Sequence, residues 1–154
     1  MYIIKKIEQY NDNYIYFCDP IKNNIMQDGT FTRIIYSNMN IVFNGIYLKI
    51  PLADIFFEKY YNKYKCNINI NNANNKEIFE KIKNIEEVIL KKHIIENSKT
   101  PIYKIYDQLR NNNIKFFCDF IPKYNSTLIL KISGIWETLN HFGLTYKFII
   151  VNHP

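Results

Sequence analysis

Apolar and polar residues alternate most regularly near the end of the chain. From 128 to 136, Leu128, Leu130, Ile132, Gly134 and Trp136 share one side of an extended backbone, with Ile129, Lys131, Ser133, Ile135 and Glu137 opposite. The pattern repeats over 144–151, with Leu144, Tyr146, Phe148 and Ile150 against Thr145, Lys147, Ile149 and Val151. Period two predicts two strands, and the loop 139–143 joins them into a long antiparallel hairpin with one apolar face. Because an isolated hairpin is marginal in water, the rest of the chain must extend and cover this sheet.

Upstream, short aromatic and Ile-rich runs at 2–7 and 14–17 predict two strands around the polar turn Asn11-Asp12-Asn13, and Asp19-Pro20 ends the pair. A turn at 27–29 precedes a strand over 31–36. Residues 41–50 read as one long strand bent by a bulge at Asn44-Gly45, in preference to a tight hairpin turn there. After Pro51, the spacing of Ile55, Phe56 and Tyr60 predicts a short helix over 53–61, and Cys66, Ile68 and Ile70 alternate in a strand over 65–70. The clearest helix is 76–95, with Asn75 as cap, a stripe of Ile78, Ile82, Ile85 and Ile89 for the sheet, and a solvated Glu and Lys back. Thr100-Pro101 predicts the start of a second helix burying Ile102, Ile105, Tyr106 and Leu109. It stops at Asn111–Asn113, and a strand over 114–120 leads into the final hairpin.

The pattern predicts a β-rich α+β fold: one OB-like domain over residues 1–154, an antiparallel barrel or curled sheet with two helices inserted before the last three strands. The alternative is an open α+β sheet with both helices on one face. With 154 residues, 47% hydrophobic and 16% aromatic, the chain has ample material for a core, and the disordered class is excluded. It lacks a run of about 20 apolar residues, so no membrane helix is expected. The start, MYIIKKIEQY, lacks a signal-peptide pattern. The protein is therefore expected to stay inside the cell, with Cys18, Cys66 and Cys118 as free thiols. On that reading the acceptor-like triplet Asn125-Ser126-Thr127 is coincidental.

Formal charge is +6, but 18 of the 20 basic residues are Lys in a sequence rich in Asn, Ile, Tyr and Phe, a bias that an AT-rich genome would write. Motifs for phosphate loops, zinc proteases, Cys-x-x-Cys metal sites and serine hydrolases are absent. His93, His141 and His153 are far apart without metal-ligand spacing; His93 reads as a surface helix residue and His141 as part of the hairpin loop. Glu77 with Glu80, and Glu86 with Glu87, read as solvated helix pairs. No enzyme, cofactor or metal is expected. The polar strand faces are the better place for chemistry, because single-stranded nucleic acid is held by cations along its phosphates and aromatic rings under its bases. Arg33, Tyr47, Lys49, Lys115, Phe117, Lys131 and Lys147 supply that mixture, and 29–53 carries no acidic residue. Trp136, alternating with Leu128, Leu130 and Ile132, reads as a core anchor, and so do Tyr146 and Phe148.

The segments KISGIWE (131–137) and GLTYKFI (143–149), with FTRIIYS, NGIYL and IEEVIL earlier, resemble short, mostly uncharacterised proteins of large nucleocytoplasmic DNA viruses over most of the chain. A Trp-bearing strand, a loop and a Gly-x-x-Tyr-x-Phe strand also resemble the closing hairpin of phage-type and giant-virus single-stranded-DNA-binding OB-folds. The resemblance implies a non-enzymatic protein that coats DNA in viral replication or repair. It would meet viral replication proteins in the host cytoplasm or a viral factory, with the host nucleus and the virion as alternatives. Phage proteins of that type generally end in an acidic recruiting tail, whereas this sequence ends in Asn152-His153-Pro154. The competing expectation is a structural or interaction protein of the virion or viral factory that docks through Tyr60, Tyr61 and Tyr64. A small nuclease or nucleotide hydrolase comes third and would need Asp and Glu side chains converging in one cleft.

Overall fold

The structure is a computed structural model that describes residues 4–23, 25, 29–93, 99–123 and 125–152. In chain order its strands are β1 (Lys5–Lys6), β2 (Ile15–Phe17), β3 (Ile21–Asn23), β4 (Gly29–Ser37), β5 (Val42–Asn44), β6 (Ile46–Ile50), β7 (Ile55–Tyr60) and β8 (Lys63–Ile68). Helix α1 (Ala73–Lys92), strand β9 (Thr100–Ile102) and helix α2 (Lys104–Arg110) follow, then β10 (Ile114–Phe116), β11 (Thr127–Glu137) and β12 (His141–Val151). Short 3-10 turns fill Ile7–Gln9 and Asp12–Tyr14.

The final hairpin is the centre of a nine-stranded sheet. One edge of β11 carries β12, and the other is shared: β6 pairs with residues 128–132 and β4 with residues 134–137. The sharing works because β5 and β6 are one strand bent at Gly45, so β5 stays with β4 while β6 turns onto β11. Gly45 has φ +98°, where a side chain is strained, and a Cβ there would sit 2.9 Å from the Ile132 carbonyl oxygen. Strands β2 and β3 pair with β4, β1 runs parallel to β6, and β9 runs parallel to β12 over its first three residues.

A second, three-stranded antiparallel sheet has the order β10–β8–β7. These two sheets correct the expected OB barrel. The large sheet is mixed, with two parallel pairings that an antiparallel barrel would lack, and β10 pairs with β8 in place of closing onto β12. The core is enclosed by one face of the large sheet (Ile46, Leu48, Ile50, Leu128, Leu130, Ile132, Ile135, Leu144), the inner face of the small sheet (Cys66, Ile68, Ile114, Phe116) and the two helices. Burial pushes the Cys66 thiol up to about 12, so it packs as an inert small hydrophobe.

Three elements differ from their sequence patterns. Residues 53–61 form β7 and not a helix: Asp54 and Tyr61 adopt positive φ, 50° and 55°, which brackets an extended segment, and β7 finds a partner in β8. Thr100 and Pro101 lie in β9, an edge strand where the missing proline N–H costs no ladder bond, and α2 starts only at Lys104. Helix α1 begins three residues early, capped by Asn72, whose side chain accepts the Asn75 N–H at 3.2 Å. Asn75 is instead fully buried, accepting from the Ala53 N–H and donating to the Ala53 and Asn69 carbonyls, so it anchors the start of α1 to the loop before β7. The expected strands reaching 2–3 and the turn at 27–28 fall outside the described residues, as does the expected helical end at 94–95. The strand expected over 114–120 is only three residues long.

Glu86 corrects the solvated-face expectation for α1. It is 1% exposed, and its two carboxylate oxygens accept the Ile105 and Tyr106 N–H groups at 3.1 and 3.2 Å, tying α1 to α2. Burial lifts its pKa to about 7, against the two hydrogen bonds that pull it down and with Asp107 and Glu87 adding to the rise. A carboxyl raised in the folded state binds its proton more tightly there than in the unfolded chain, so its contribution favours folding below about pH 4.5 and is lost as pH rises to about 7. Glu86→Gln should flatten this segment of the stability curve: urea midpoints recorded from pH 5 to pH 8 should fall in the parent protein and much less in the variant. Gly134→Ala should cost about 2 kcal/mol or more in the same assay, because the added Cβ would collide with the Thr32 carbonyl oxygen and lie 2.6 Å from the Phe31 ring.

Candidate nucleic-acid interface

The outward face of the large sheet follows from the register of β11. Leu128, Leu130 and Ile132 pair with Ile150, Phe148 and Tyr146 and face the core, but the register shifts between Ile132 and Gly134. Ser133 is the extra residue of this bulge, and it reverses the alternation beyond it. Ile135, paired with Leu144, therefore joins the core, and Trp136 moves to the outward face. Trp136 is half-buried, with the Lys104 ammonium 4.9 Å from the ring centre, so the expected core anchor is instead a cation-capped ring. Tyr146 and Phe148 stay packed against the core, with the Tyr146 hydroxyl donating to Gln108 Oε1 at 2.6 Å.

Five of the seven sequence-derived residues lie on this outward face. Tyr47, Lys131 and Lys147 form one transverse row across β6, β11 and β12, spanning roughly 10 Å at the usual ~4.8 Å strand spacing. The Lys131 ammonium lies 5.5 Å from the Tyr47 ring centre. Lys49 sits two residues along β6 from Tyr47, and the parallel register places Lys6 of β1 beside it. Arg33 stands opposite Gly134, where its guanidinium donates to Asn44 Oδ1 at 2.9 Å and lies over the Phe31 ring at 6.0 Å. Lys49, Lys147, Lys6 and Arg33 are exposed, and Lys131 and Tyr47 are half-buried. Among the described residues the strands of the large sheet contain a single carboxylate, Glu137, and its partners are Lys99 Nζ at 3.0 Å, His93 Nε2 at 3.5 Å and the Thr30 hydroxyl at 3.4 Å. Burial pushes the Glu137 carboxyl up, yet the hydrogen bonds and charge of Lys99 and His93 prevail and hold it below the ordinary carboxylate range. His93 is thus no surface residue: it ends α1, lies against the Phe17 ring and ties the helix to β11.

Lys115 and Phe117 are elsewhere, at and just beyond the third strand of the small sheet. The Lys115 ammonium is 4.3 Å from the Tyr60 ring centre, Lys63 is 4.7 Å from that of Phe117, and Phe117 is 70% exposed. Tyr60 and Tyr61 are exposed here as well, whereas Tyr64 packs on Phe116. Sequence reasoning missed Lys6, whose place depends on a parallel pairing of two residues, and Lys104 with Trp136, whose meeting depends on the bulge. His141 is exposed at the start of β12. Among the described residues no group of three or more His, Cys, Asp or Glu is arranged to hold a metal ion.

Comparison with protein-family models, with curated proteins and with solved structures finds no match.

The position of Trp136 carries a direct prediction, since it is the only tryptophan in the chain. With Lys104 beside it, iodide should quench its fluorescence several-fold more than caesium at equal ionic strength, and Lys104→Glu should reverse the order. Equal, weak quenching by both ions would put the ring in the core.

Proposed function

We propose that the protein binds single-stranded nucleic acid, without catalysis and with little sequence preference, on the outward face of its large sheet. The observation that carries this reading is the charge of that face: Lys6, Arg33, Lys49, Lys131 and Lys147 surround Tyr47, and among the described residues no strand position on it holds a carboxylate. Cations at this spacing suit a phosphate backbone, and Tyr47 between Lys131 and the β6 edge offers a ring for base stacking. The viral resemblance of the sequence makes DNA exposed in replication or repair the natural ligand.

A second reading is favoured by a different surface. Tyr60, Tyr61 and Phe117 are exposed at one end of the small sheet, with Phe56 exposed farther along β7, an aromatic surface suited to docking on another protein of a virion or viral factory.

Anisotropy of a labelled mixed-sequence DNA single strand separates the two. Binding should be salt-sensitive, with a log–log slope of about −3.5 for five phosphate contacts on a single strand. Lys131→Glu with Lys147→Glu should weaken it at least tenfold while leaving the free energy of urea unfolding within about 1 kcal/mol of the parent. Unchanged binding in the double variant would remove the site. A mass that rises with concentration, lost on Tyr61→Ser with Phe117→Ser, would favour the docking surface.

A further inference from the structure

A groove of about 820 Å³ runs between the two sheets where the barrel fails to close. One wall is formed by residues 144–150 of β12, the other by residues 115–120, with Lys104, Gln108 and Trp136 at one end. Every residue of both segments lines it, odd and even alike. A strand that shows a groove one face contributes alternate residues, so β12 and the β10 segment meet the groove edge-on. The Thr138 N–H donates to the His141 carbonyl, which sets the alternation along β12. The N–H and C=O groups of Leu144, Tyr146, Phe148 and Ile150 therefore point away from β11. β9 covers that edge only over residues 141–143, and beyond it no described strand pairs with it; nor does a described strand pair with the edge of β10 opposite β8. Seven apolar-rich residues without proline make an edge that proteins ordinarily keep covered.

We propose that this groove takes an extended peptide by strand addition, hydrogen-bonded to β12, and that the peptide is an acidic segment of a partner protein. Charge selects the occupant: Lys104, Lys115 and Lys147 stand along the groove against one carboxylate, Asp119, and the net charge of the chain is +6. Apolar side chains of the peptide would lie over Phe148 and Tyr146, its carboxylates beside the lysines. A second copy of this chain fits poorly, because antiparallel pairing of two β12 edges about their midpoint would set Lys147 against Lys147. The groove shares Lys147 with the proposed nucleic-acid face, whereas Lys49, Lys131 and Tyr47 lie outside it.

The test uses a fluorescein-labelled seven-residue peptide alternating valine and glutamate, a version with lysine for glutamate, and a version N-methylated at alternate backbone nitrogens. The glutamate peptide should bind the full chain, and the lysine and methylated versions at least tenfold more weakly. Lys104→Glu should weaken binding at least fivefold while leaving DNA affinity within twofold. Hydrogen exchange at the Tyr146 and Phe148 amides should slow when the glutamate peptide is present. No anisotropy change at millimolar peptide would overturn the proposal, as would equal binding of the methylated peptide. Displacement of the peptide by an oligothymidine that protects the same amides would also overturn it, assigning the groove to nucleic acid.

Discussion

The fold depends on how closely three backbones approach one another around the middle of β11. The bent strand through Gly45 leaves β4 to run along the first half of β11, and β4 takes over at Gly134, so one strand edge serves two partners. Both crossings are made at glycines because a Cβ at either would collide with a neighbouring carbonyl. Ser133, the extra residue between them, turns the apolar alternation over by one position. From that bulge follow the burial of Ile135, the outward position of Trp136 and the alignment of Lys131 with Tyr47 and Lys147.

Charge is then sorted by face. The inward side of the large sheet is apolar, aliphatic with Tyr36, Phe142, Tyr146 and Phe148 among it, and the outward side gathers cations from β1, β4, β6, β11 and β12, segments far apart in sequence. The acidic residues go elsewhere: Glu137 is consumed by Lys99 and His93, and Glu86 is buried as the tie between the helices. Among the described residues, what remains on the outward face is unneutralised by any strand carboxylate, the condition for attracting a polyanion.

The period-two hairpin was legible from alternation alone, and so were the Ile stripe of α1 and the bend at Gly45, because each rests on local spacing. Closure was not legible. Whether β10 reaches β12 or turns to β8 depends on non-local pairing, and the short parallel strands β1 and β9, two and three residues long, leave no sequence period to detect. Residues 53–61 misled because Ile55, Phe56 and Tyr60 fit a helical spacing as well as an edge strand that exposes Phe56 and Tyr60, and only pairing with β8 decides. For the candidate site, polar alternation picked residues of which Arg33, Tyr47, Lys49, Lys131 and Lys147 share one face, while Lys115 and Phe117, picked by the same alternation, belong to the small sheet because β10 pairs with β8.

The proposed nucleic-acid face is open to a residue-by-residue test. Titrating an unlabelled oligothymidine into isotope-labelled protein and following the backbone amides places the contact residue by residue. Perturbation centred on Tyr47, Lys49, Lys131 and Lys147 is the predicted result. Perturbation confined to Lys63, Lys115 and Phe117 on the small sheet, or none at all at low salt, would contradict it.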